Sequence, residues 1–181
     1  MRNVIFATNI TVDGCCDHTK FTPSEEMYEY FTSVMRDVEV LVYGRKTYQL
    51  MVPFWPEVAR NQSMTKAANE FAHTFDSMHK VVFSQSLESA EGNTTIVRTK
   101  LQDEILKLKR APGKNILTGG VTVPSQLMEL GLVDEYRFVV HPVVAGEGTR
   151  LLEGVGLQER LQLVESKTLE AGCVALRYLK K

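Results

Sequence analysis

Several things are scarce in this chain, and each scarcity closes off a class of function. Charge of one sign is not in excess: 21 basic residues stand against 22 acidic ones. There is thus no electrostatic footprint for nucleic acid. No apolar run approaches the length that spans a bilayer. The opening residues Met1 to Thr11 lack the charged, apolar and small-residue order of a secretory signal, so a cytoplasmic protein is expected. Cysteine is rare and odd in number: Cys15, Cys16 and Cys173 suit reduced thiols better than a disulfide framework. The adjacent pair Cys15-Cys16 has neither redox nor zinc spacing. His18, His73, His79 and His141 show no ligand-type pairing either, so no metal is expected. His79, beside Lys80, reads as part of a solvated surface.

What is present is ordinary globular material. With 44% hydrophobic and 24% charged residues and no repetitive tract, residues 1–181 read as one domain able to bury a core without staples. Asn3 to Thr8 reads as a buried strand entering a turn at Asp13-Gly14. Ser24 reads as the N-cap of an amphipathic helix reaching Arg36, carrying Met27, Tyr28, Tyr30, Phe31, Val34 and Met35 at helical spacing. Val38 to Tyr43 is a strand. Thr47 to Ser63, with Pro53 and Pro56, is expected to be a loop with exposed aromatics.

Further along, helices are expected near Met64 to Phe75 and Leu101 to Arg110, and strands at Lys80 to Phe83, Thr94 to Val97 and Asn115 to Leu117. Pro124 suits the first turn of a helix reaching Leu130. The tail reads as β: Glu135 to His141, then Leu161 to Leu169 and Cys173 to Leu179 joined at Glu170-Ala171-Gly172. Alternating strands and helices with a closing antiparallel hairpin imply a three-layer αβα sandwich around a mainly parallel sheet. Ligands of such sheets lie at the carboxyl ends of strands.

Three glycine turns fall at such ends: Asp13-Gly14, Gly44-Arg45 and Gly119-Gly120. Gly44-Arg45-Lys46-Thr47 joins backbone freedom to two cations and a hydroxyl, which suits a phosphate; it reads equally as a strand-to-helix turn with solvated basic residues. Leu117-Thr118-Gly119-Gly120-Val121-Thr122 offers paired glycines before a helix, though it is neither the Walker pattern nor Gly-x-Gly-x-x-Gly. The Ser84-Gln85-Ser86 run after Val82-Phe83 offers hydrogen-bonding groups to a phosphate or an adenine edge, or simply caps the strand. Trp55, the only tryptophan, suits either the wall of a pocket for a flat heterocycle or plain packing. Ala145 to Arg150 reads as a structural loop.

Taken in order, these elements resemble the dihydrofolate reductase superfamily over nearly the whole chain. Within it, Thr11-Val12-Asp13-Gly14 is similar to the Ser-x-Asp-Gly start of the reductase domain of the bifunctional riboflavin-biosynthesis deaminase/reductase and its stand-alone bacterial relatives. Pro142-Val143-Val144-Ala145-Gly146-Glu147-Gly148 is similar to their Pro-x-x-x-Gly-x-Gly segment. The resemblance implies an NADPH-dependent oxidoreductase of the riboflavin-biosynthesis type. Gly44, Arg45, Lys46 and Thr47 would take phosphates, with Arg45 or Lys46 and Ser84 near the 2′-phosphate. Gly119, Gly120, Val121 and Thr122 would follow the pyrophosphate, and Ala7, Thr8 and Gly14 would lie by the nicotinamide. It also implies a cis peptide at Gly119-Gly120.

Asn9, Tyr28 and Trp55 are the candidate substrate contacts, and Asp13 or Glu26, or water, the proton source. The acid that grips the pterin in dihydrofolate reductases falls here near Tyr28, with Glu25, Glu26 and Glu29 close by. The Asp-Pro segment usual in the riboflavin enzymes is replaced by Met51 to Pro56. The substrate that the resemblance implies is a pyrimidine- or pterin-type heterocycle or its ribosylamino sugar, most like 5-amino-6-(5-phosphoribosylamino)uracil. The alternatives are a true dihydrofolate reductase with an unorthodox acid, or a nucleotide-binding protein that has lost catalysis. Val164 and Leu169, with Val174, Leu176 and Tyr178, are expected either to close the sheet or to pack across the two-fold axis of a homodimer.

Overall fold

The computed structural model describes residues 1–156 and 158–181. In chain order the strands are β1 (Val4–Thr11), β2 (Val38–Gly44), β3 (His79–Phe83), β4 (Thr94–Val97), β5 (Asn115–Thr118), β6 (Glu135–His141), β7 (Leu161–Thr168) and β8 (Val174–Lys180). The helices are α1 (Glu25–Met35), α2 (Arg45–Met51), α3 (Trp55–Asn61), α4 (Lys66–Ser77), α5 (Leu101–Arg110) and α6 (Thr122–Glu129). All eight strands form one sheet in the order β4-β3-β2-β5-β1-β6-β8-β7. It is parallel from β4 to β6 and antiparallel where β8 and β7 join. The sandwich with a closing hairpin expected from the sequence is the fold observed.

The near-continuous apolar strands are explained by burial on both faces. Ile5, Leu41, Val82, Leu117 and Val139 pack with α1, α2, α3 and α4, whereas Val4, Phe6, Val40, Val42 and Ile116 pack with α5 and α6. Crossovers stepping toward the β4 edge thus carry their helices on one face, and those returning carry them on the other. Right-handed crossovers demand this division, and it leaves the carboxyl ends of β1, β2, β3 and β5 along one rim.

Helix starts follow side-chain chemistry. Ser24 Oγ accepts from the Met27 N–H at 3.2 Å, and Thr65 Oγ1 accepts from the Ala68 N–H at 3.4 Å, so both begin their helices as N-caps. The segment 47–63 departs from expectation, because it holds α2 and α3 rather than an aromatic loop. Pro56 sits in the first turn of α3, where a missing N–H breaks no intrahelical bond. Trp55 is buried, its ring 4.7 Å from Phe71 and 5.8 Å from Tyr28, while Phe54 remains half exposed.

Other expectations are corrected as well. β1 runs three residues past Thr8, held by pairing with β6 as far as Thr11 opposite His141. His79 is half-buried rather than fully solvated, and Lys80 beside it is buried: its ammonium donates to the Asp76 and Met78 carbonyls at 3.2 and 2.9 Å and lies over the Phe75 ring. Burial pushes its pKa down. Leu169 belongs to this chain's own core and is not free for a partner. The Gly119-Gly120 peptide is trans; the reversal there uses the left-handed backbone of Gly120, at φ +85°.

Trp55→Ala should cost about 3–5 kcal/mol of unfolding free energy, and Trp55→Phe much less, because the ring fills the space between α1 and α4. Urea denaturation followed by far-ultraviolet circular dichroism checks this.

Candidate functional site

Parallel strands bring the first, second and third glycine turns to the same rim, and the packing there is close. A Cβ at Gly119 would stand 3.2 Å from the Ala7 carbonyl oxygen and 3.6 Å from Tyr43 Cε1. One at Gly120 would collide with Thr47 Oγ1, and one at Gly44 would meet Val123 Cγ2 at 3.4 Å. Ala7, Gly44, Thr47, Gly119 and Gly120 therefore line one seam where β5 and β2 end beside the middle of β1.

Donors are left over along that seam. Among the described residues, the N–H groups of Gly120 and Val121 donate to no protein acceptor, and they precede α6, whose N-terminus carries positive potential. Arg45 and Lys46 are exposed and form no ion pair among the described residues. Thr122 is exposed beside them. One strand further out, Ser84 Oγ accepts from the Ser86 and Leu87 N–H groups at 3.3 and 3.0 Å, so it caps its own turn. Gln85 donates to the Arg98 carbonyl at 2.9 Å, and the Arg98 guanidinium donates to Leu87 O at 2.6 Å.

The other half of the rim is a clasp between two loops. Asp13 Oδ1 accepts from Thr11 Oγ1 at 2.6 Å and from the Ala145 N–H at 3.0 Å; its Oδ2 accepts from the Gly146 N–H and the Arg150 guanidinium, both at 3.0 Å. These donors, the Thr11 hydroxyl foremost, hold the carboxyl well below the usual carboxylate range. Asp17 Oδ2 takes the Thr149 N–H at 2.9 Å. Gly148, at φ +114°, has no room for a side chain against Asp17 and Cys15. Gly14, at φ +79°, turns the first loop, and its carbonyl accepts from Leu151 N–H at 2.9 Å. Within the Pro142 to Gly148 segment, Ala145 and Gly146 thus donate to Asp13, and Gly148 leaves the space that Asp17 fills.

The family model of the RibD C-terminal domain matches residues 2–175. The chain belongs to that family. It is 32% identical over 149 residues to the uncharacterized protein YyaP of Bacillus subtilis, covering 82% of this chain and 77% of that protein. A putative riboflavin biosynthesis protein from Shewanella sp. PV-4 shares the fold with a TM-score of 0.76 at 19% identity, over 100% of this chain and 99% of that one. A second solved structure, from Thermotoga maritima, is a diaminohydroxyphosphoribosylaminopyrimidine deaminase/5-amino-6-(5-phosphoribosylamino)uracil reductase. It matches with a TM-score of 0.68 at 13% identity, over 99% of this chain and 57% of that one.

As a RibD C-terminal domain, the chain distributes its sequence-expected residues unevenly. Ala7, Gly44, Thr47, Gly119 and Gly120 meet; Arg45, Lys46, Val121 and Thr122 border them; Ser84, Gln85 and Ser86 lie beyond, on the β3 end. Thr8 faces the opposite side of the sheet from Ala7. Asp13 anchors the clasp as an ion, with no proton to give. Glu26 Oε2 accepts from the Glu170 N–H at 2.7 Å and so pins α1 to the β7–β8 turn. Glu25 accepts from the Ala67 N–H at 3.3 Å at the start of α4. Glu29 lines a cavity of about 470 Å³ between α1, α4 and the hairpin, together with Arg36, Glu70, Arg137 and Glu165. Glu25 and Glu26 are thus engaged by backbone N–H groups, whereas Glu29 is exposed to the cavity. Tyr28 and Trp55 are core aromatics, and Asn9 stands at the end of β1.

Two groups escape the sequence reading. Arg98 is findable as the cation directly following β4, on the strand beside Ser84. His141 gives no sequence signal, since its partners Asn9 and Cys173 are 132 and 32 residues away.

Asp13→Asn should open the clasp. Its folded carboxyl titrates below the unfolded value of 3.8, so its stabilisation is present above that pH and is lost as pH falls through the folded value. The variant should show faster proteolytic cleavage within 143–151 at neutral pH and a flatter melting temperature below pH 4 than wild type.

Proposed function

We propose that this chain is an NADPH-dependent reductase acting on a pyrimidine-type heterocycle or its ribosylamino sugar, of the kind the Thermotoga relative is named for. The observation that carries the reading is the seam itself. Spare N–H donors at Gly120 and Val121, an opening with no room for a Cβ, and the unpaired cations Arg45 and Lys46 suit a dinucleotide's phosphates. Arg45, Lys46, Ser84 and Arg98 would hold the 2′-phosphate and adenine end, Gly44 and Gly119 to Thr122 the pyrophosphate, and Ala7 and Gly14 the nicotinamide end. The bound cofactor supplies a hydride.

The protein's share is placement. The β1 and β5 ends fix the floor, and the Asp13 clasp covers the rim and limits water. With Asp13 ionised and Glu26 engaged, the proton comes from water. Three free thiols, Cys15, Cys16 and Cys173, agree with a reducing, cytoplasmic setting. No helix of the described residues is long and apolar enough to cross a membrane.

We also propose a homodimer through the β7–β8 hairpin. β7 is exposed along nearly its whole length, with Leu163 and Val164 at its centre and Leu176 and Tyr178 beside them on β8. A bare apolar edge of this kind calls for a cover.

NADPH should bind saturably with enhanced cofactor fluorescence, and its 340 nm absorbance should fall when a ribosylaminopyrimidine is added. Arg45→Ala and Lys46→Ala should each raise the NADPH Kd by about tenfold and the NADH Kd less, as expected for a lost charge-assisted bond to phosphate. Absence of binding sinks the reading; binding without consumption of any pterin or pyrimidine favours a nucleotide-binding protein that has lost catalysis. For the dimer, Leu163→Glu should convert the light-scattering mass at micromolar concentration from two chains to one, and a monomeric wild type rejects it.

A further inference from the structure

At the end of β1, on the same face as Ala7 and about 7 Å beyond it, three uncharged groups form a line. The Asn9 Oδ1 atom lies 3.0 Å from His141 Nε2, and His141 Nδ1 lies 3.3 Å from Cys173 Sγ. The imidazole is 2% exposed, and the Phe21 ring stacks on it with centroids 4.1 Å apart and planes 15° apart. Cys173 is 3% exposed. Thiol, imidazole and amide in this order suit a nucleophilic triad by type. Burial of the sulfur and the aromatic lid exclude that use, since no substrate carbonyl reaches Sγ. Burial also pushes the Cys173 thiol up and the His141 imidazole down, so both are neutral near pH 7.

Neutrality decides where the protons sit. A thiol is a weak hydrogen-bond acceptor and carries one proton to donate, so the arrangement that makes fuller use of the sulfur has Cys173 S–H donating to His141 Nδ1. The imidazole's single proton is then on Nε2, and it donates to the oxygen of Asn9. The Asn9 amide cannot turn over without setting donor against donor. Its NH₂ group has no protein acceptor among the described residues and is left unpaired on half-buried Asn9, close to the ends of β1 and β6.

We infer that His141 and Cys173 are positioning residues that lock the Asn9 amide as a hydrogen-bond donor to a carbonyl oxygen of the heterocyclic substrate. This rests on the reductase reading for the identity of the substrate, but not for the direction of the relay. A locked donor gains specificity because an acceptor-poor analogue leaves the NH₂ unpaired, whereas a free amide would flip to suit either. The set is supported from two further elements: Phe21 covers it, and Glu26 of α1 holds the Glu170 N–H, three residues before Cys173.

The test uses the full-length chain. Nitrogen-15 NMR should show His141 as the Nε2–H tautomer in wild type and Cys173→Ser, and a mixture in Cys173→Ala. Titration with 5-amino-6-(5-phosphoribosylamino)uracil, without NADPH, should shift the Asn9 side-chain amide pair in wild type and in His141→Gln, whose amide N–H replaces Nε2–H. In NADPH-dependent turnover, Asn9→Ala and His141→Leu should raise KM for the pyrimidine about tenfold, with kcat and the NADPH Kd little changed, and His141→Gln should restore it. If His141→Leu does not fold, His141→Gln and Cys173→Ala carry the decision. An Nδ1–H tautomer in wild type, or an Asn9 amide unmoved by saturating pyrimidine, overturns the inference. A wild type that fails to bind NADPH overturns the reductase reading instead, and the amide shift still decides the relay.

Discussion

The arrangement depends on how tightly β5 is wedged between β1 and β2. Three parallel strands ending on one rim force their outgoing loops to cross within van der Waals distance, and only a backbone without side chains clears both the Ala7 carbonyl and the Thr47 hydroxyl. The spare N–H donors at Gly120 and Val121 exist because the chain turns there before α6 begins and finds no carbonyl within reach. Steric necessity and spare donors thus have one origin: a seam narrow enough to require glycine is also one whose amides stay unpaired.

Around that seam, charges fall into two groups with different duties. Asp13, Asp17, Glu25 and Glu26 all accept from backbone N–H groups and join elements distant in sequence. Arg45, Lys46 and Arg98 have exposed cationic ends, free of any carboxylate among the described residues. Bound carboxylates hold the scaffold, and free cations face the solvent from which a phosphate would arrive. Lys80 is the exception in kind, a buried cation held by carbonyls at the far end of β3, with no carboxylate bonded to it among the described residues.

Much of this is legible in the sequence. The strands at Thr94 to Val97 and Glu135 to His141 and the helix at Leu101 to Arg110 are found where periodicity places them, because each is short, strongly patterned and closed by clear breakers. The segment around Trp55 misleads because a proline pair suggests a loop, whereas a proline in a helix's first turn leaves the rest of that helix intact. The burial of Lys80 goes unread because nothing local announces that helix-end carbonyls will enclose its ammonium. The rim turns can be aligned from their order alone, but Asn9, His141 and Cys173 cannot, since three ordinary residues on three segments become a unit only after β1, β6 and β8 pair.

The clasp between the Asp13 loop and the Ala145 to Arg150 loop joins residues up to 137 positions apart. Such a contact cannot precede the pairing of β1 with β6, which itself needs the β5–α6 crossover in place. The cover of the rim is therefore among the last parts of the chain to become ordered during folding. Held by hydrogen bonds at the surface and little buried apolar area, it is also among the first to open from the native state. The two loops can thus part through local unfolding of their own contact, while the sheet beneath keeps its shape.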